Sequence, residues 1–185
     1  MNNSADEERI RLIPLKRYDR EQFIKDNQEA FKYGAMEEFG LRDDHFEEDG
    51  EIISRETIER CIDDPYSETY RIVLGKRNVG GIIVHIDPET NHNELEIMFI
   101  APNEHSKGIG QAAWWEIEAL HPETEVWETC TPYFEIRNIH FYVNCLGFHI
   151  VEFFNSKHPD PNYPSENSDD EHDGMFRFEK VMKQE

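Results

Sequence analysis

Hydrophobic positions along this chain alternate between stretches of strand-like period and stretches of helical period, and each change of period marks an element boundary. Ile10 to Leu15 predicts a short first strand. Asp19 with Gln22 forms a capping box for a helix whose apolar residues include Phe23, Ile24, Phe31, Ala35 and Phe39, with Gly40 placed to end it. A polar, acidic connection from Arg42 to Glu51 leads to Ser54, an N-cap for a short helix carrying Ile58, Cys61 and Ile62 that Pro65 terminates. Thr69 to Leu74 and Gly81 to Ile86 read as strands joined through Lys76-Arg77-Asn78, and Asp87 to Asn93 turns the chain into a strand that opens at Glu94. A later helix presents Ile109, Ala113, Ile117 and Leu120 on one face with Trp114 beside them, until His121-Pro122 stops it. Glu116 falls inside that apolar arc and has no explanation in the pattern. Glu125 to Thr131 predicts a fifth strand, Ile136 to Leu146 a last helix, and Phe148 to Phe154 and Met175 to Met182 two further strands. No internal repeat is visible.

The segment from Glu94 to Gly110 carries the chemistry. An apolar strand with two carboxylates at its start runs through Pro102 into a small, glycine-rich turn that opens an amphipathic helix. Unpaired backbone N–H groups at a helix start attract anions, and Gly108 and Gly110 remove the Cβ atoms that keep a pyrophosphate at a distance. A lone Gly-x-Gly is equally an ordinary tight turn. Glu94 and Glu96 alternate with Leu95, which directs both carboxylates to one face of the strand.

This segment resembles the main cofactor-binding motif of the GNAT family of N-acetyltransferases, a strand of the form Glu-Leu-x-x-apolar-aromatic-apolar-x-Pro followed by Gln/Arg-x-x-Gly-x-Gly/Ala. Glu94, Leu95, Met98, Phe99, Ile100 and Pro102 stand in register with that strand, as do Gly108 and Gly110 in the turn. His105 stands where the family usually has Gln or Arg. Downstream, Asn138-Ile-His-Phe-Tyr-Val-Asn-Cys-Leu-Gly-Phe148 resembles the family's late helix, with Tyr142, Gly147 and Phe148 at the matching positions. There the family's usual Asn, seven residues before the tyrosine, is replaced by Glu135, and Asn138 lies four before it.

The resemblance extends loosely from about residue 9 to 182. It implies an α/β (α+β) acyl-CoA N-acyltransferase fold, with a mixed, mostly antiparallel twisted sheet of about six to seven strands flanked by about four helices. A flexible tail, 1–8, would precede a single domain, 9–183. The implied activity is transfer of the acetyl group of acetyl-CoA to a primary amine of a small molecule or an exposed amino group. Contacts to the coenzyme are implied for His105, Ser106, Lys107, Gly108, Ile109 and Gly110, with a backbone N–H at Phe99 or Ile100 polarising the acetyl carbonyl and Asn138 meeting the pantetheine arm.

Such a reaction needs a neutral nitrogen, whereas a lysine-like amine has a pKa of about 10 and is protonated at neutral pH. A carboxylate at Glu94 or Glu96 takes that proton directly or through a water, a contribution of about 10² to 10⁴ in rate; Glu94 occupies the family's carboxylate position. The thiolate that leaves has a pKa of about 8.5, so a proton donor helps, and the resemblance assigns this to Tyr142. Each has a plainer alternative: solvated strand-end charges for the glutamates and helix packing for the tyrosine.

Composition narrows the classes further. Forty Asp and Glu against 19 Lys and Arg leave a net charge of −21, which repels nucleic-acid phosphates and attracts cations, or serves only to solubilise the surface. Cys61, Cys130 and Cys145 lack Cys-x-x-Cys spacing and cannot all pair, the chain opens without a signal-peptide pattern, and no run reaches membrane-spanning length. A cytoplasmic protein without a membrane partner is expected, and a homodimer is common in the family. Cys130 as a covalent acyl carrier has no adjacent base, and His158 with the Asp169 to Asp173 run lacks the spacing of a metal site, so no metal is expected. Trp114, Trp115 and Trp127 are expected to pack in the core. Lys157 to Gly174, rich in Pro, Asp, Glu, Asn and Ser, reads as a mobile acidic loop, or as a lid beside the acceptor. Two alternatives from other classes stay open: a non-catalytic acyl-CoA-binding module, and an acidic interaction protein that binds a basic partner.

Overall fold

A computed structural model of the chain describes residues 9–38, 50–105, 108–161 and 174–183. The strands are β1 (Ile10–Pro14), β2 (Ser67–Leu74), β3 (Arg77–His85), β4 (His92–Ile100), β5 (Val126–Pro132), β6 (His149–Phe154) and β7 (Met175–Val181), and the helices are α1 (Arg20–Lys32), α2 (Arg55–Asp63), α3 (Ile109–Leu120) and α4 (Ile136–His140). The strands form a seven-stranded sheet in the order β1-β2-β3-β4-β5-β7-β6. Pairing is antiparallel for β1 with β2, β2 with β3, β5 with β7 and β6 with β7, and parallel for β4 with β5. This is the mixed, mostly antiparallel α/β architecture expected of the GNAT resemblance. None of the described helices is long and apolar enough to cross a membrane.

The chain divides into two compact units, one of residues 1–88 and 95–122 and the other of 89–94 and 123–185, so the boundary cuts β4 between Glu94 and Leu95. In the first unit, α1 and α2 bury Phe23, Ile24, Ala30, Ile58 and Cys61 against Ile83, Ile97 and Phe99 of the strands. Each fully buried side chain of this size contributes about 1.5 to 3 kcal/mol before chain entropy is charged. α3 buries Ile109, Ala113, Trp114 and Ile117, as its helical period demands. The second unit closes over Trp127, Leu146, Phe148, Phe154 and Phe178.

Several expectations need correction. Asp19 precedes α1 but no side chain caps that helix. Its carboxylate instead accepts from Arg71 of β2, through Nε at 2.7 Å and Nη2 at 3.0 Å, while Gln22 donates to Asp26 at 2.8 Å. Arg71 is 3% exposed, so a buried guanidinium needing counter-charges outweighs a local cap. Asp26 supplies the second charge at 2.7 Å, and the Phe23 ring lies 5.1 Å beneath the guanidinium. The cap at Ser54 does form, accepting from the Thr57 amide at 3.1 Å.

The β2–β3 turn falls at Gly75 and Lys76, and Arg77 and Asn78 are already paired with Leu74 and Val73. Trp114 and Trp127 are buried, but Trp115 is 55% exposed because it lies off the buried face of α3, and Leu120, on that face, is 50% exposed as the last residue of the helix. Glu116 finds a partner in Arg9, 3.6 Å away. The first helix gives way to a π-helical stretch at Tyr33–Glu38, and the last helix is likewise split, α4 passing into π-helical Phe141–Leu146. The expectations placed on residues 1–8, Phe39, Gly40, residues 42–49, Ser106, Lys107 and 162–173 of the acidic loop lie outside the described residues.

Candidate active site

Strand β4 begins where Asn91, at φ 55, swings the chain round and accepts at its carbonyl from the Glu125 amide at 2.9 Å. The buried Asn93 side chain donates to Thr124 Oγ1 at 2.7 Å. These bonds hold a short parallel ladder in register: His92 with Val126, Asn93 with Trp127 and Glu94 with Glu128. Register partners in a sheet share a face, so the half-buried Glu94 and Glu128 are neighbours. Two residues along β5 on that face is Cys130, whose cross-strand partner is Arg177 of β7.

Arg177 is shared among three carboxylates, at 2.8 Å from Glu128, 2.7 Å from Glu179 and 3.1 Å from Glu152. Glu152 is pulled below the usual carboxylate range first by His158, 2.8 Å away, and then by Arg177. The face that bears Glu94 therefore carries more negative than positive charge. Burial, followed by the fields of Glu94, Glu128 and Asp160, pushes the Cys130 thiol up to about 12, which keeps it protonated at neutral pH and unsuited to carry an acyl group.

The opposite face of β5 is dry. Trp127, Thr129 and Thr131 are buried there. Tyr142 packs its ring 5.5 Å from Phe178, the cross-strand partner of Thr129, and 6.0 Å from Phe148. Burial pushes its phenol up to about 12, and a hydrogen bond from the Thr129 hydroxyl pulls the other way. The Tyr-to-Gly-Phe spacing now has a cause. Gly147, at φ 81, and Phe148 both donate their amides to the Tyr142 carbonyl, closing the π-helical turn that holds the tyrosine. Asn138 turns inward as well, donating to Thr131 Oγ1 at 3.3 Å. Glu94 and Tyr142 thus stand on opposite faces of β5.

In the first unit, Glu96 is half-buried on β4 and accepts from the Cys61 thiol of α2 at 3.3 Å. The strand ends at Ile100, a tight turn of Pro102–Glu104 follows, and α3 starts after Gly108. Gly108 adopts φ 72 and has no side chain with which to cap α3, and among the described residues a Cβ placed on this glycine would meet nothing within 4 Å. A glycine with no side chain at the start of α3 leaves room for a diphosphate to approach the helix N-terminus, where backbone N–H groups favour an anion. Ile109 is buried and anchors the turn from below, while Gly110 lies in the first helical turn. Glu104, 4% exposed, is neutralised by Arg77 and so does not present a bare charge to an incoming anion. His105 does not point outward from the turn: its Nε2 lies 2.8 Å from the Ile100 carbonyl and its ring meets Tyr33 edge-on at 5.6 Å. Among the described residues, no group of three or more His, Cys, Asp or Glu side chains is placed to hold a metal ion.

Thr129, Glu128 and Arg177 escaped the sequence reading. Alternation marks them as strand residues, but their importance comes from β5–β7 register, which no local pattern encodes.

Residues 22–148 match the family model of the acetyltransferase (GNAT) family. A protein of Bacillus subtilis strain 168, YrkN, described as uncharacterized, is 42% identical over 185 residues, covering 97% of each chain. Among solved structures, the ribosomal-protein-S18-alanine N-acetyltransferase of Escherichia coli aligns with a TM-score of 0.66 at 11% identity, covering 95% of this chain and 96% of its own. The spermidine N-acetyltransferase of Vibrio cholerae, in complex with CoA and spermine, aligns with a TM-score of 0.63 at 14% identity, covering 94% and 95%. At such identities the two structures share a fold with this chain.

Proposed function

We propose that this chain, which belongs to the acetyltransferase (GNAT) family, moves the acetyl group of acetyl-CoA onto a primary amine by direct attack. The observation that carries this reading is the placement of Glu94 and Tyr142 on opposite faces of β5, one among carboxylates and the other among aromatic rings. The first environment suits a cation and a proton acceptor, and the second a neutral phenol. Acetyl-CoA supplies, when bound, a thioester carbonyl activated for acyl transfer.

Glu94 accepts the proton of the incoming ammonium, directly or through a water, and leaves the nitrogen lone pair free. The neighbouring Glu128 and the surplus negative charge of that face draw in a cationic acceptor. Tyr142 stays protonated throughout the physiological range, its phenol being raised to about 12, and donates its proton to the sulfur that leaves. The backbone N–H of Ile100 or Phe99 steadies the negative charge that develops on the acetyl oxygen. In this reading His105, Ser106, Lys107, Gly108, Ile109 and Gly110 would hold the diphosphate, and Asn138 would contact the pantetheine arm. Glu96, already accepting from Cys61, is the weaker base candidate.

The acceptor is a small-molecule amine or an exposed amino group. The names of two structural neighbours carry a polyamine and a protein alanine, and the acidic face supports a cationic acceptor of either kind. The test is a panel of polyamines, amino acids and peptides offered with acetyl-CoA, following thiol release. Release with at least one cationic amine is expected. Tight acetyl-CoA binding without release for any acceptor would overturn catalysis in favour of a binding module.

A further inference from the structure

In an extended strand the N–H and C=O of one residue point to the same edge, and successive residues point to opposite edges. Around the end of β4 this alternation is readable. A Cβ on Gly80 of β3 would lie 2.3 Å from the Phe99 carbonyl oxygen, and the Ala101 amide donates to the Val79 carbonyl at 2.9 Å. Phe99 and Ala101 are therefore turned toward β3, and Ile100 is turned away from it. Of the two amides that could serve the acetyl oxygen, only that of Ile100 is directed off the β3 edge.

Ile100 is the last residue of β4, a position where strands fray. Its carbonyl is held by His105 Nε2 at 2.8 Å. A carbonyl only accepts, so Nε2 carries the proton. The imidazole is braced in turn. Tyr33 meets its ring at 5.6 Å and 69°, the Glu104 amide donates back to the Ala101 carbonyl at 2.9 Å, and the Glu104 carboxylate is tied to Arg77.

We propose that His105 is a positioning residue that clamps the carbonyl of Ile100, holding the Ile100–Ala101 peptide and so restraining the Ile100 backbone torsions that aim the adjoining Phe99–Ile100 amide, instead of touching the coenzyme diphosphate with its side chain. Its use in catalysis rests on the acetyltransferase reading above. The clamp itself does not. A pre-aimed N–H donor loses its value when it must be reoriented during the reaction, and a whole donor of this kind is worth about 10² to 10³ in kcat. Loosening one should cost less.

His105→Phe keeps a ring against Tyr33 and removes the donor, whereas His105→Gln restores an N–H of similar reach. For the Phe variant kcat should fall about tenfold with the acetyl-CoA Kd, by calorimetry, within about twofold, and the Gln variant should recover most of the loss. Weakened acetyl-CoA binding with kcat intact would show a diphosphate contact and overturn the proposal, as would no change in either quantity. A readout independent of turnover is the 15N spectrum of the free protein. It should show His105 protonated at Nε2 and a shifted Ile100 amide in His105→Phe. A bare Nε2, or an Ile100 amide indifferent to the substitution, refutes the clamp. Absence of acetyl transfer by the wild-type protein would refute the enzymatic reading alone.

Discussion

On one face of β5 the Cys130 thiol lies in the field of Glu94, Glu128 and Asp160; on the other the Tyr142 phenol lies against Phe148 and Phe178, within reach of the Thr129 hydroxyl. Burial raises both groups to about 12, yet the secondary causes have opposite signs. Carboxylates push the thiol further up, and a donated hydrogen bond draws the phenol back. One face carries a surplus of carboxylates, while the other holds a protonated phenol among aromatic rings. Sequence neighbours Thr129 and Cys130 end in these two environments because strand geometry sends them to opposite sides.

The sharpest way to break this contrast is Glu94→Gln, which keeps the shape and removes the charge. Steady-state kinetics should show kcat about 10 to 10³ lower with acetyl-CoA affinity nearly unchanged, and unaltered turnover across neutral pH would take Glu94 out of the mechanism. Tyr142→Phe attacks the other face and should lower kcat by about tenfold, since the leaving thiolate needs less help than the ammonium. An unchanged rate would return Tyr142 to packing.

Thr129→Val refines the comparison. It removes the one interaction that lowers the phenol, so absorbance titration of tyrosinate should place Tyr142 still higher, and kcat should fall about fivefold, the worth of one neutral hydrogen bond of about 1 kcal/mol. The smallest effects belong to Cys130. Its raised thiol should resist alkylation at pH 8 in intact-mass measurements, and Cys130→Ala should leave kcat within about twofold.

Both raised groups also affect stability, with a definite sign. The folded chain holds protons that the unfolded chain releases near the ordinary values of 9.0 and 10.0, so their contribution is complete below those values and is lost as pH rises toward about 12. Urea midpoints measured at pH 8 and pH 11 should therefore fall at the higher pH, and Tyr142→Phe should fall less. Equal midpoints would mean that neither group is withdrawn from water.

Much of the fold was legible because its causes are local. Apolar alternation marked the strands, Ser54 capped α2 as its position required, and Gly108 occupies the left-handed turn before α3. The errors share one origin. Asp19 has the right type and spacing for a capping box, but Arg71, 52 residues away, claims its carboxylate. Arg77 and Asn78 look like turn residues, yet the ladder with β2 pulls them into β3 and leaves Gly75 and Lys76 to turn. Trp115 reads as core by composition and is exposed by its angle on α3. In each case a distant partner, or a face assignment, overrode a local preference.

By itself the chain determined the order of its strands and helices, the glycine turn ahead of α3 and the tyrosine held by Gly147 and Phe148, since hydrophobic period and backbone conformation act within a few residues. Only the tertiary structure decided that Glu94 pairs with Glu128, that Thr129 reaches Tyr142 and that His105 turns back onto Ile100. The first two depend on strand register, which is settled by the packing of whole elements rather than by any residue's neighbours in sequence. The third depends on how β3 orients the last residue of β4, and with it the amide on which acetyl transfer would rely.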